Sequence, residues 1–260
     1  MLTETTELKK CTACDEEISQ YAHFCHHCGT LQSAPDELPL NQKMDKLWEA
    51  IAFFGIELTI CCLFGFIESF HTIKGEIVTV SLLAVNKTVF IVRNWSKIKP
   101  VFTWNSWSFP KLMLYTAIAV LASVTVHYTT QWLNVSIFSG NVYYFPFFQK
   151  YRFAALLMVL FVAVLPAVTE EFGFRGFMLR QFLAITDQQQ ALGITSLLFA
   201  FVHLSFLSLF WLIPFAWFLG YVRIKEETIW YGVVMHFCFN LTTCLFELLY
   251  IHPYPIPNLP

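Results

Sequence analysis

Six polar side chains stand in otherwise apolar stretches, and their types and spacing are those of a hydrolytic centre: Glu170, Glu171, Arg175, His203, His236 and Asn240. The run Thr169-Glu170-Glu171-Phe172-Gly173-Phe174-Arg175-Gly176 closes a 17-residue stretch, Phe153–Thr169, that carries no charge. Adjacent carboxylates on a helix point roughly 100° apart. Glu171 and Arg175 are i,i+4, share a face and can offset each other's charge, which leaves Glu170 free to face elsewhere. A carboxylate drawn out of water is a stronger base, suited to taking a proton from a water molecule. His203 ends the run Phe199-Ala200-Phe201-Val202-His203. His236 and Asn240, in His236-Phe237-Cys238-Phe239-Asn240, project hydrogen-bond donors from one helical face. Each piece also has a plainer reading. The two glutamates can mark a helix end with snorkelling charges, a lone histidine can be a packing residue, and a His–Asn pair can serve as an interhelical hydrogen bond.

A second constellation lies at the start of the chain. Cys11-x2-Cys14, ten residues, then Cys25-x2-Cys28-Gly29 is the spacing of a four-cysteine structural zinc site. Each CxxC turn aims two thiolates at one point, and two turns complete a tetrahedron. So short a segment has almost no core, so metal binding would supply most of its folding free energy. His23, His26 and His27 are spare ligands beside a shell that four cysteines already close. Cys61, Cys62, Cys238 and Cys244 fall in apolar stretches and read as packing residues.

The elements that must position these groups follow from composition. Of the 260 residues, 57% are hydrophobic and 13% charged. Residues 1–49 hold 9 acids and 4 bases, leaving 21 charges for the other 211 residues, and Leu112–Gln149 has none. A bilayer needs about 20 apolar residues per spanning helix. The apolar runs are continuous rather than alternating, which excludes a β-barrel. The expectation is an all-α polytopic transmembrane bundle of about seven or eight spans. They fall near Leu47–Ser69, Ile77–Arg93, Leu112–Leu133, Phe153–Leu179, Ala191–Ser208, Leu209–Val222 and Thr228–Ile251. The organisation is a zinc-ribbon head over 1–30, a linker over 31–46, a membrane domain over 47–251 with its catalytic core at 153–250, and a Pro-rich tail over 252–260. Met1–Lys10 is polar, so no cleavable signal is expected there. Ten Lys and Arg residues fall in loops on the side of the head and three on the other, which puts the head in the cytosol. At 1.5 Å per residue, Glu170, His203 and His236 then share the cytosolic half of the membrane. No basic block points to nucleic acid.

EExxxR, FxxxH and HxxxN, in this order on successive membrane helices, resemble the CAAX-protease and bacteriocin-processing (CPBP, or Abi) intramembrane endopeptidases. The resemblance covers roughly Phe153–Tyr250. It implies an all-helical, glutamate-dependent peptidase with no metal at the active site. Its pattern puts the base on Glu170, assistance on His203, the oxyanion site on His236 and Asn240, and the motif phenylalanine on Phe199, with Glu171 and Arg175 in support. Such an enzyme takes a peptide or protein substrate from membrane or cytosol. The family core usually sits in an eight-helix body. The cysteine run is similar to zinc-ribbon heads on many prokaryotic membrane proteins. That implies a multi-pass protein of a prokaryotic plasma membrane, in contact with lipid, whose head can dock a cytosolic protein. Two other readings use the same residues: a metal-dependent hydrolase, which the missing HExxH weakens, and a non-enzymatic immunity or scaffold protein.

Overall fold

The structure is a computed structural model and describes residues 8–19, 25, 27–30, 32, 38–104, 107–138 and 143–250. Among the described residues, seven helices of 14 residues or more follow a two-stranded hairpin. Strands β1 (Leu8–Lys10) and β2 (Glu17–Ser19) pair antiparallel, with Lys9 opposite Ile18. The helices are α1 (Leu40–Phe66), α2 (Ile73–Arg93), α3 (Phe109–Phe138), α4 (Ala154–Leu183), α5 (Gln188–Phe201), α6 (Leu209–Glu226) and α7 (Trp230–Tyr250). Polar residues at loop ends start two of them. Thr72 accepts from the Gly75 amide at 3.1 Å to cap α2, and Asp187 accepts from the Gln190 amide at 2.9 Å to cap α5. The Pro-rich tail and His23 and His26 lie outside the described residues.

Among the described residues, five helices (α1, α2, α3, α4 and α7) are long and apolar enough to cross a membrane. The chain is an integral membrane protein with a polytopic helical body. The two further segments expected to span, Ala191–Ser208 and Leu209–Val222, fall in α5 and α6, which are shorter or more charged. The apolar run Ala191–Val222 is broken between Phe201 and Leu209, so it forms two short helices. At 14 residues, α5 is only about 21 Å long, short of a bilayer's hydrocarbon thickness. The last turn of α6 carries Arg223, Lys225 and Glu226. The two short helices pack on each other beside α4.

The core is aromatic. Phe53 of α1 meets Phe174 and Phe177 of α4, with ring centroids 5.8 and 5.2 Å away, and Phe199 of α5 meets Phe174 at 5.1 Å. Large apolar side chains on the outside, among them Trp48, Leu63, Val85, Leu121 and Trp132, are exposed as a lipid-facing belt requires. Polar residues in the spans are paired between helices. Lys87 of α2 meets Glu57 of α1 at 2.6 Å, and the His127 ring stacks on Phe246 at 4.3 Å. Glu247 accepts from the Tyr144 and Phe145 amides at 2.8 Å each, which caps a short helix at Phe145–Phe148.

Helix α4 departs from regular winding where it matters most. Val159–Val164 and Glu171–Met178 are wound as π-helix, on either side of the turn that ends in Glu170. Pro166 has no N–H, so a carbonyl one turn earlier loses its main-chain donor. The carbonyl of Val162, four residues before it, accepts instead from the Asn240 amide of α7 at 3.0 Å. A membrane interior offers no water to satisfy such a group, so this bond ties α7 to the proline site. Asn240→Ala is therefore expected to lower stability by about 1 kcal/mol when the protein is unfolded in mixed micelles. In a Pro166→Ala background, where the helical donor is restored, the same change is expected to cost only a few tenths of that. Equal losses in both backgrounds would contradict the pairing.

Candidate functional site

Glu171 is the hub of the buried polar cluster. Its side chain has no solvent exposure, and Oε1 lies 3.0 Å from Arg175 Nη1 on the same helix and 3.0 Å from His236 Nδ1 on α7. A carboxylate only accepts, so the hydrogen on this side of the imidazole sits on Nδ1. Arg175 is held from two further directions. Its Nη2 donates to the Ala216 carbonyl of α6 at 3.1 Å, and its guanidinium carbon lies 4.3 Å from the Phe199 ring centroid. Its own carbonyl accepts from Arg223 Nε at 3.1 Å. The pairing of Glu171 with Arg175 is the i,i+4 contact read from the sequence.

Glu170 has a different environment. Its side chain keeps 23% exposure, and Oε2 lies 3.8 Å from His236 Nε2. That oxygen is buried and accepts no hydrogen bond. The imidazole thus bridges the two carboxylates: Nδ1 is fixed on Glu171, and Nε2 faces the unpartnered oxygen of Glu170. Glu171 Oε2 and Arg175 Nη1 are likewise buried without a hydrogen-bond partner among the described residues, so the cluster keeps unused polar valence on both glutamates.

Phe199 gathers the remaining groups. Its ring lies 5.0 Å from the His203 ring and 6.0 Å from the His236 ring, and Phe215 closes on His236 at 5.8 Å. His203 turns back on its own helix, with Nδ1 2.9 Å from the Phe199 carbonyl, and Leu204 with φ of 53° ends that turn. Nδ1 therefore carries the hydrogen and Nε2 is left as the acceptor. Among the described residues no hydrogen bond joins His203 to Glu170, so His203 is linked to the cluster through Phe199. Asn240 sits one turn beyond His236 on α7 and spends one of its two amide hydrogens on Val162.

Some contributors were not legible as site residues. A Cβ on Gly232 of α7 would lie 2.9 Å from Glu171 Oε2, so a larger residue there would displace the buried carboxylate. Gly232 precedes His236 by four residues, and this i,i+4 spacing was the available signal. Arg223, read only as a loop cation, braces the Arg175 carbonyl.

The cysteine cluster is separate from this centre. The Sγ atoms of Cys11, Cys14, Cys25 and Cys28 all lie within 4.8 Å of one another, with Cys11–Cys28 and Cys14–Cys25 at 3.6 Å. A tetrahedral zinc with bonds of about 2.3 Å sets its sulfurs about 3.8 Å apart, so the four thiols fit such an ion. All four are free of disulfides. Amides of Ala13 and Cys14 point at Cys11 Sγ at 3.4 Å, and Gln32 Nε2 donates to it at 3.0 Å. The Cys11 thiol is pulled down to about 6: burial pushes it up, and the Ala13 and Cys14 amides outweigh that. Cys14 is pushed up to about 12: the Glu16 amide favours its thiolate, but burial and the neighbouring sulfurs prevail. The Cys28 thiol is also drawn down, by the Thr30 hydroxyl and amide, so two of the four sulfurs favour the thiolate form that a divalent cation needs.

Two carboxylates, an arginine and two histidines thus gather within a polytopic helical body, and groups of this kind are compatible with hydrolytic chemistry as a class. The comparison with known families narrows that class. Residues 152–242 match the family model described as Type II CAAX prenyl endopeptidase Rce1-like. The matched segment contains Glu170, Glu171, Arg175, Phe199, His203, His236 and Asn240, so the resemblance read from the three motifs is borne out there. It implies CAAX-type intramembrane protease activity on a peptide or protein substrate. No curated protein and no solved structure matches the chain.

Purified full-length chain is expected to carry one zinc ion per chain by elemental analysis, and Cys14→Ser is expected to lose it. Because the ion competes with protons for thiolates, retention should fall as the pH is lowered. Equal metal content in the wild type and the variant would show that the cluster is not the site.

Proposed function

We propose that the chain is an intramembrane endopeptidase in which Glu170 activates a water molecule for attack on a peptide carbonyl. The observation that carries this reading is the buried, unpartnered Oε2 of Glu170 facing His236 Nε2 at 3.8 Å. A water seated there donates a proton to Glu170, and its oxygen adds to the carbonyl carbon. The C–N bond then breaks, and the proton held by Glu170 passes to the leaving amine. His236, with Nδ1 held by the Glu171 carboxylate, is stabilised as the imidazolium that offers Nε2–H to the developing oxyanion. The second amide hydrogen of Asn240 is the other donor, and such donors are typically worth a few kcal/mol each. His203 keeps Nε2 as an acceptor toward the water. Glu171 and Arg175 hold the geometry, and Phe199 packs Arg175 against both histidines.

The family description favours a substrate ending in a prenylated CAAX sequence. The four-cysteine head holds structural zinc. It lies in the cytosol, on the side of the loop cations, and its domain (1–30) is joined by the linker 31–46 to the membrane domain 47–251. That head is the surface for a cytosolic protein partner, and the membrane is a prokaryotic plasma membrane.

The test uses full-length protein in detergent and an internally quenched peptide with a prenylated cysteine four residues from its carboxyl end. Wild type is expected to cleave it. Glu170→Gln is expected to lower kcat by roughly 10²- to 10⁴-fold, the usual contribution of a general base, while remaining folded. Wild-type turnover by Glu170→Gln would overturn the assignment.

A further inference from the structure

A second set of charges is buried behind the proposed reaction centre. Lys87 Nζ of α2 donates to Glu57 Oε2 of α1 at 2.6 Å. Asn86 Nδ2 donates to Glu57 Oε1 at 2.7 Å and to the Phe53 carbonyl at 3.2 Å. All three side chains are almost fully buried, at 2%, 3% and 6% exposure for Glu57, Lys87 and Asn86. Both oxygens of Glu57 are therefore satisfied. Replacing a buried ion pair by apolar residues is often neutral or stabilising, so stability alone is a poor reason for such a trio between two spans.

Its place in the fold supplies a better one. The Lys87 stem runs against α4 at Gly173, where a Cβ would lie 2.9 Å from Lys87 Cγ and 3.1 Å from Phe53 Cζ. Gly173 is three residues beyond Glu170, within one helical turn. The charges of Glu57 and Glu170 act on each other, and Glu170 acts also on Cys61 and Arg175. The groups around Glu170 are thus His236 from α7, Glu171 and Arg175 from its own helix, and Glu57 and Cys61 from α1, with Lys87 of α2 paired to Glu57. His203 comes from the end of α5, and the Arg223 cation of α6 is engaged on the Arg175 carbonyl. In this set Arg175 is matched with Glu171 and Lys87 with Glu57. Glu170 is the carboxylate left without a lysine or arginine of its own, with only the His236 ring beside it at 3.8 Å.

We propose that Glu57 is a positioning residue for the reaction: by fixing Lys87 between α1 and α2, it keeps that cation off Glu170 and so preserves Glu170 as a base that pairs with no lysine. The proposal rests on the reading of Glu170 as the base. A carboxylate that salt-bridges a lysine is a weaker base, so releasing Lys87 would blunt the reaction. The asparagine preceding Lys87 holds the other oxygen of Glu57 and leaves Oε2 to the lysine.

The experiment uses full-length protein in detergent and two readouts. One is the acid limb of cleavage of the quenched prenylated CAAX peptide. The other is infrared titration of the Glu170 carboxyl band, isolated by subtracting the Glu170→Gln spectrum. Glu57→Gln, which frees Lys87, is expected to move both midpoints to lower pH by about one unit. Lys87→Met, which leaves Glu57 unmatched, is expected to move them to higher pH, and the double variant Glu57→Gln/Lys87→Met to return them close to wild type. KM is expected to hold while kcat falls in the single variants, and Lys87→Arg is expected to keep the wild-type profile. A packing role alone would lower melting temperatures and leave the midpoints in place; unmoved midpoints, or shifts in the same direction, overturn the proposal. If Glu57→Gln does not fold, Lys87→Met and the double variant carry the same comparison. Should Glu170→Gln still cleave, the base assignment fails, while the infrared arm still reports whether the trio governs the ionisation of Glu170.

Discussion

A carboxylate without solvent exposure, inside a membrane-spanning helix, is stable only where a cation and donors stand ready, and Glu171 has both. Arg175 and His236 each lie 3.0 Å from the same oxygen. That one ion-and-hydrogen-bond network dictates much else. It is served by Gly232 on α7, because a side chain there would push the second oxygen out of its place. It requires the Ala216 carbonyl and the Phe199 ring around the guanidinium. Through Nδ1 it also sets the tautomer and orientation of His236, and hence which nitrogen faces Glu170. Removing one member would strand a buried charge, which is far more damaging than the pair's own modest stabilisation suggests.

The two adjacent glutamates therefore take opposite parts. Glu171 Oε1 is held by Arg175 and His236 at 3.0 Å each with no solvent exposure, whereas Glu170 keeps partial exposure and meets His236 only at 3.8 Å. A helix turns about 100° per residue, so neighbours meet different surroundings, here the α7 backbone for one and an open polar seat for the other. The irregular winding of α4 belongs to the same design. Pro166 opens the main-chain ladder before the pair, π-type turns follow it, and side chains of neighbouring helices complete the bonds that the backbone gives up.

Much of this was legible in the sequence because bilayer chemistry makes exceptions conspicuous. Uncharged runs such as Phe153–Thr169 announce spans, and Glu170, Glu171, Arg175, His203 and His236 stand out against them. The i,i+4 pairing of Glu171 with Arg175 needs only helical periodicity. What could not be read was tertiary. Apolar composition does not show where a chain turns, so the first of the two segments, expected to run to Ser208, ends in the structure at Phe201. Lys87 and Glu57 lie 30 residues apart, on different helices, and nothing local links them to Glu170. His203 could be placed near the site but not in its bond to the Phe199 carbonyl, since a ring folding back on its own helix leaves no pattern in sequence.

The division of labour between the two glutamates is tested most directly by measuring thermal unfolding and peptide cleavage side by side for Glu170→Gln and Glu171→Gln in the same detergent. Glu170→Gln is predicted to melt within a degree or two of wild type and to lose turnover. Glu171→Gln is predicted to melt markedly lower, because Arg175 is left buried without its counter-ion. Equal melting losses for the two variants, or full turnover by Glu170→Gln, would contradict the account.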